Sequence, residues 1–282
     1  MQVNPVIEKE LKTKMRGWKA PALITLYLAF LMFVFFLHFA FNNNMYVGRD
    51  LTPRIAVNAY NTLAFFQLLL ILFITPIITG GAISSERERQ TLDLLLCTDF
   101  STLKIILGKI FVSIAHIMLL VTASLPILGI VFIFGGVEIK DILLLFFFYI
   151  VVAIMTASIG IFYSTIFKKT IISIVMTYIT LGIFVVGTVI FIIIWFELII
   201  GYRGEPEWYQ FMVFLFPNPF YGFGSIIENT VSGYGFFSVF VEMANGGRNS
   251  VPVKSWVINT GFNIILSCLL ILFSARKIRR LK

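Results

Sequence analysis

The chain has 282 residues and a formal net charge of +8 at pH 7. Apolar residues make up 59 % of it and charged residues 13 %, with a mean hydropathy of +0.96; a soluble domain holds about 45–50 % apolar and about 25 % charged residues. A core of this size cannot hide that much apolar surface, so a soluble enzyme, a disordered chain, a secreted disulfide scaffold and a free nucleic-acid binder are excluded, and an all-α integral membrane protein is expected.

Residues 1–21 read as an amphipathic helix lying on a membrane surface. Asn4 is a suitable N-cap and Pro5 fits the first helical position. Val3, Ile7, Leu11, Met15 and Trp18 recur at helical spacing as one apolar stripe, with Glu8, Lys9, Lys12, Arg16 and Lys19 largely off it.

The remainder, residues 22–282, reads as a six-span transmembrane domain. A spanning helix needs about 20 predominantly apolar residues, and the runs at 22–41, 62–83, 110–134, 142–167, 171–196 and 256–275 qualify. They are too long for barrel strands and lack alternation of period two. The first run exceeds a signal-peptide core and has no small-residue cleavage site after it, so it is expected to persist.

Residues 84–100 join spans two and three. Ser85 and Glu88 have capping-box spacing. Leu92, Leu95 and Leu96 form a short apolar face, and Glu86–Arg89 and Arg89–Asp93 have ion-pair spacing. Gln90 favours a continuous helix, and Asp99, Ser101 and Thr102 break it before span three. A short helix with a charged head and a leucine face, outside the bilayer, needs a surface to pack on.

Residues 197–255 separate spans five and six. Two apolar runs, 209–216 and 236–243, are too short to span, and the rest is rich in turn residues such as Pro217-Asn218-Pro219, Gly222 and Gly224. A structured external segment with short interfacial or re-entrant helices is expected.

Orientation follows from Lys and Arg placement. Sixteen of the 22 lie on the side that holds both termini, so both termini are expected in the cytoplasm and the chain in the plasma membrane. No phosphate-cradling loop is present: Gly108-Lys109 is followed by Ile110, and position 103 is Leu. The sequence shows neither a Ser-His-Asp constellation nor a metal cluster, and Cys97 and Cys268 sit in apolar contexts. The six runs hold no Asp, Glu, Lys or Arg, which argues against a proton-driven carrier. The softer polar residues Gln67, His116, Tyr178, Asn259 and Asn263 are candidates to line a substrate path, and Ala153/Ala157 and Thr156/Gly160 are candidates for close helix packing.

The run Ser85-Glu86-Arg87-Glu88-Arg89-x-Thr91-Leu92-Asp93-Leu94-Leu95-Leu96-x-Thr98, followed by Gly108-Lys109, resembles the segment after the second span of type-2 ABC exporter permeases. The opening Asn4-Pro5-Val6-Ile7 with its trailing basic residues, and the six-span layout, are similar to that family as well. Many members carry Gly where this chain has Gln90. The resemblance implies an elbow-like N-terminal connecting helix and a coupling helix between spans two and three. Glu86, Arg87, Glu88, Arg89, Leu92, Leu95 and Leu96 would contact an ATPase subunit. It implies two ABC ATPase subunits binding ATP and Mg2+, no cofactor in this chain, and a second six-span subunit, identical or related. The expected function is export of a hydrophobic or amphipathic molecule by alternating access, without an ATPase site of its own. The alternatives are extrusion of a small ion such as sodium, and a non-transporting membrane scaffold or sensor.

Overall fold

A computed structural model describes residues 18–43, 53–92, 101–133, 137–195, 214–230 and 255–279. Among them the secondary structure is helical, without strands. The helices are α1 (Lys19–Asn43), α2 (Pro53–Gly80), α3 (Ser84–Glu88), α4 (Thr102–Ile133), α5 (Ile139–Ile166), α6 (Thr170–Gly182), α7 (Thr188–Trp195), α8 (Pro219–Thr230) and α9 (Ser255–Arg279). A π-helical turn, Ile183–Gly187, joins α6 to α7. Six segments are long and apolar enough to cross a membrane. They are α1, α2, α4, α5, α6 with α7, and α9, hereafter spans one to six.

The expected spans are recovered with longer ends. Span two starts at Pro53, nine residues before the apolar run, and span three at Thr102. Ser101 makes the break before span three: its hydroxyl accepts from the Lys104 amide and its carbonyl from that of Ile105. Because span three starts early, Lys109 lies inside its helix and is 4 % exposed, so the expectation of spans free of ionisable side chains fails at this position. The expected capping-box chemistry does occur elsewhere, at Glu138 and Asp141 before span four.

Span four is the centre of the bundle and touches spans two, three, five and six as well as α8. Small residues allow this. Ala153, Thr156, Ala157 and Gly160 are buried, and a Cβ on Gly160 would collide with the Thr79 hydroxyl of span two. One apolar cluster gathers Tyr27, Leu31, Leu63, Leu68, Ile117, Phe148 and Phe223. A second lies at the end that holds Arg87, Lys168 and Arg276, called the basic end below. Spans five and one are the least buried: 11 % and 17 % of their most apolar 18 residues, against 61 % in span four.

Residues 214–230 are the described part of the segment expected outside the membrane. Pro219–Thr230 is a helix despite Gly222 and Gly224, and it is folded back into the bundle with Tyr221, Phe223, Ile226 and Ile227 buried. The start signal is Asn218-Pro219: Asn218 Oδ1 accepts from the Phe220 amide at 2.9 Å, and Pro219 occupies the first turn, where no N–H is needed. Gly222 permits the depth, because a Cβ there would meet Asn259 and Phe148. The runs 236–243 and most of 209–216 lie outside the described residues, as do the N-terminal helix up to residue 17 and residues 93–100.

Candidate functional site

Span two ends at the basic end in Gly80-Gly81, where it meets span five closely: a Cβ on Gly80 would lie 2.7 Å from Ile174 Cγ1. The next residues form α3, only five residues long. A helix begins with backbone donors that lack internal partners. Here Ser164 of span four supplies the acceptor, its Oγ taking the amides of Ile83 and Ser84 at 2.8 Å each. The capping box expected from Ser85 and Glu88 does not form. Ser85 donates to the Gly81 carbonyl at 2.5 Å, and Glu88 turns to a different helix.

Glu88 caps span five. One carboxylate oxygen accepts from the Thr170 amide at 2.9 Å and the other from the Thr170 hydroxyl at 2.7 Å. The physical reason is that Thr170 opens a long helix whose N-terminal amides and dipole attract an anion more strongly than the single turn of α3. Arg87 reaches the opposite kind of end, donating to the Thr165 carbonyl in the last turn of span four at 3.3 Å. Glu86 lies 3.7 Å from Lys109 Nζ in span three and also accepts the Thr91 hydroxyl. Its ionic partner is therefore Lys109 rather than Arg89.

The segment then reverses sharply. The Thr91 amide bonds the Glu86 carbonyl and the Gln90 amide bonds the Arg87 carbonyl, the paired bonds of a Schellman C-cap, with Gln90 at φ 58°. Gln90 thus ends the helix instead of continuing it, in the left-handed conformation that glycine adopts most readily. The turn drives Leu92 inward, against Ile83, Ile106, Ile110, Ile161, Ala275 and Ile278. One short segment is consequently tied to spans three, four, five and six, while Glu88, Arg89 and Gln90 stay exposed.

The middle of span five is held differently. A π turn cannot pair its carbonyls in the regular α pattern. Asn218 Nδ2 donates to the Val185 carbonyl at 3.1 Å and to the Thr188 hydroxyl at 2.9 Å. Asn259 of span six holds the backbone around Asn218 from behind, donating to the carbonyls of Phe216 at 2.6 Å and Asn218 at 3.0 Å. Asn263 Nδ2 donates to Asn259 Oδ1 at 3.0 Å.

The candidate path residues therefore fall into separate groups. Asn259 and Asn263 secure α8. Gln67 is buried and donates to Ser124 at 2.8 Å, with Tyr27 beside both. Tyr178 donates to the Phe73 carbonyl at 2.5 Å, and His116 Nδ1 lies 3.3 Å from the Val112 carbonyl of its own helix. Of the candidate partner contacts, Glu86 and Arg87 are partly buried, Glu88 and Arg89 are exposed, and Leu92 is buried within the chain. Leu95 and Leu96, like Ile7, Leu11 and Met15 of the candidate surface helix, lie outside the described residues, and Trp18 is 89 % exposed just before span one. Sequence reasoning missed Ser164, Thr170 and Asn218; only Asn218 carried a local signal, the Asn-Pro pair.

No group of three or more His, Cys, Asp or Glu able to hold a metal occurs among the described residues. The family profile described as "ABC-2 family transporter protein" matches residues 4–272. No curated protein matches the chain. Members of this family are membrane subunits that work with ABC ATPase subunits. With six apolar helices and a match over nearly its whole length, the chain belongs to the ABC-2 transporter family and is a permease subunit of an ABC transporter.

Proposed function

We propose that the chain is the membrane half of an ATP-driven exporter, with residues 84–100 as its coupling segment and both termini in the cytoplasm of a cell bounded by its plasma membrane. Two ABC ATPase subunits binding ATP and Mg2+ dock on that segment, and a second six-span subunit completes the path. Residues 1–21 lie on the inner leaflet. ATP-driven closure of the ATPases displaces the coupling segment, and the spans tilt between inward and outward access.

The observation that carries this reading is the tethering of one short segment to four spans, with Glu88, Arg89 and Gln90 left facing outward. A loop that only connected two helices would not need partners in four. The substrate class rests on electrostatics. Taking a bare ion from water into low dielectric costs several kcal/mol even after relaxation. Lys109, the one basic side chain buried within the described spans, sits near the basic end against Glu86. An amphipathic molecule gains about 25 cal/mol per Å² of buried apolar area and needs few polar partners.

Co-purification with an ABC ATPase tests the subunit role, with Leu95→Asp expected to reduce recovery of the ATPase at least tenfold by placing a charge in the contact. ATP hydrolysis by the complex in vesicles tests the substrate. Stimulation by amphipathic peptides or drugs is expected. Stimulation by sodium, with ATP-dependent sodium flux and no response to amphiphiles, would reject that class.

A further inference from the structure

Span five differs from its neighbours in how it is held. Its buried side chains, Ser173, Thr177 and Leu181, form a narrow strip at four-residue spacing that ends below the π turn. In the π turn and in α7 none is buried. Below the turn, span five is gripped at its first residue by Glu88, and Ser84 Oγ adds a contact to the Thr170 hydroxyl at 3.3 Å. At the turn itself Asn218 holds the Val185 carbonyl, and just past it the Thr188 hydroxyl; above it Phe214 packs on Phe191 and Trp195. A helix held at both ends and irregular between them bends at the irregularity, since π-bulges are among the few places where helices kink sharply.

Two other tethers, Ser164 and Thr165, belong to span four, which packs on spans two, three, five and six and on α8. Moving span four would repack its contacts with four spans and α8, whereas moving the first half of span five disturbs one strip, the Tyr178–Phe73 and Tyr163–Thr180 hydrogen bonds and the Gly80–Ile174 contact. We propose that Glu88 is the positioning residue through which displacement of the coupling segment reaches span five, and that the half of span five below the π turn swings about a pivot fixed by Asn218. This rests on the permease reading above, and it names the span that moves and the carboxylate that moves it.

Two measurements separate this inference from the reading beneath it. The first uses the full chain alone in nanodiscs and needs no ATPase. Hydrogen exchange at the Thr170 and Ile171 amides should quicken about fivefold in Glu88→Ala, the usual size of a lost cap, and less in Glu88→Gln, which keeps one acceptor. Unchanged exchange in Glu88→Ala overturns the clamp, whatever the fate of the permease reading.

The second uses the assembled complex with Cys97 and Cys268 replaced by alanine and spin labels on one copy. Label pairs Leu143→Cys with Ile171→Cys, and Leu143→Cys with Ile193→Cys, compare the two halves of span five with span four. On trapping with ATP and vanadate, the first distance should change and the second should not. In Thr170→Pro, which removes the amide and the hydroxyl that Glu88 holds and leaves the docking residues untouched, the ATPase should still bind and hydrolyse ATP while the first change is lost, and Thr170→Ser should keep it. Equal movement of both halves, or full movement in Thr170→Pro, overturns the inference while leaving the subunit assignment standing.

Discussion

Gln90 holds a left-handed backbone that a side chain disfavours, at the C-cap that turns Leu92 into the apolar cluster of the basic end. Gln90→Gly removes that strain, and the protein should gain about 1 kcal/mol, read as a rise in detergent melting temperature; a fall would mean that the side chain holds the turn. Asn259 works by hydrogen bonding rather than by shape. Its amide satisfies two carbonyls at the entry of α8, and its oxygen receives Asn263. Asn259→Leu leaves those carbonyls buried without a donor, at about 1–3 kcal/mol for each unsatisfied group. The expected result is a lower melting temperature together with faster labelling of Ser225→Cys, a position buried in α8. The sequence pointed to Asn259 and Asn263 as residues of one helix face, yet their polarity could equally serve a substrate or a neighbouring backbone. The partner that decides it, Asn218, lies 41 residues before Asn259.

Among elements, spans two and four meet most closely, at Gly160 and Thr79. Gly160→Leu inserts a side chain where even a Cβ collides, and overpacking of this kind costs about 1–3 kcal/mol. Reduced yield and a lower melting temperature are expected, with Gly129→Leu as the comparison, since a Cβ at Gly129 meets nothing within 4 Å. The small-residue spacing made this contact legible in sequence. The π turn was not legible, because Ile183-Phe184-Val185-Val186-Gly187 contains no proline and reads as continuous apolar helix. Its register is satisfied by Asn218, which no local pattern around residue 185 announces. The same holds for α3. Ser85 and Glu88 have the right spacing to cap one another's helix, but spacing says nothing of a competing acceptor or donor. Ser164 and Thr170 both compete, and both win.

At the scale of the molecule, charge sets the orientation expected in the bilayer. Sixteen of 22 basic residues lie on the side of the termini. Arg89→Cys, exposed on the segment after span two, should react with a membrane-impermeant thiol reagent only after permeabilisation, and Ser232→Cys should react from outside intact cells. The reverse pattern would overturn the charge assignment and the direction of transport that depends on it. Arg89 is the informative site, because the neighbouring Ser84 is fully buried and would resist labelling from either side.

The sequence by itself determined the solvent, the number of spans and the family. Each depends on summed composition or on local pattern: apolar runs long enough to cross a bilayer, and a charged and leucine-rich motif after span two. Boundaries were less secure wherever polar residues continue a helix, as Asn58 and Asn61 do in span two and Lys109 in span three. Tertiary structure alone decided which helix end Glu88 caps, which carbonyls Asn218 and Asn259 satisfy, and that α8 folds into the bundle. Those choices are made between residues dozens of positions apart. In an apolar medium an unpaired buried donor or acceptor carries a penalty of several kcal/mol. Glu88, Asn218 and Asn259 therefore go to backbone groups that no regular helix bond satisfies, and those groups are brought to them only once the helices have met.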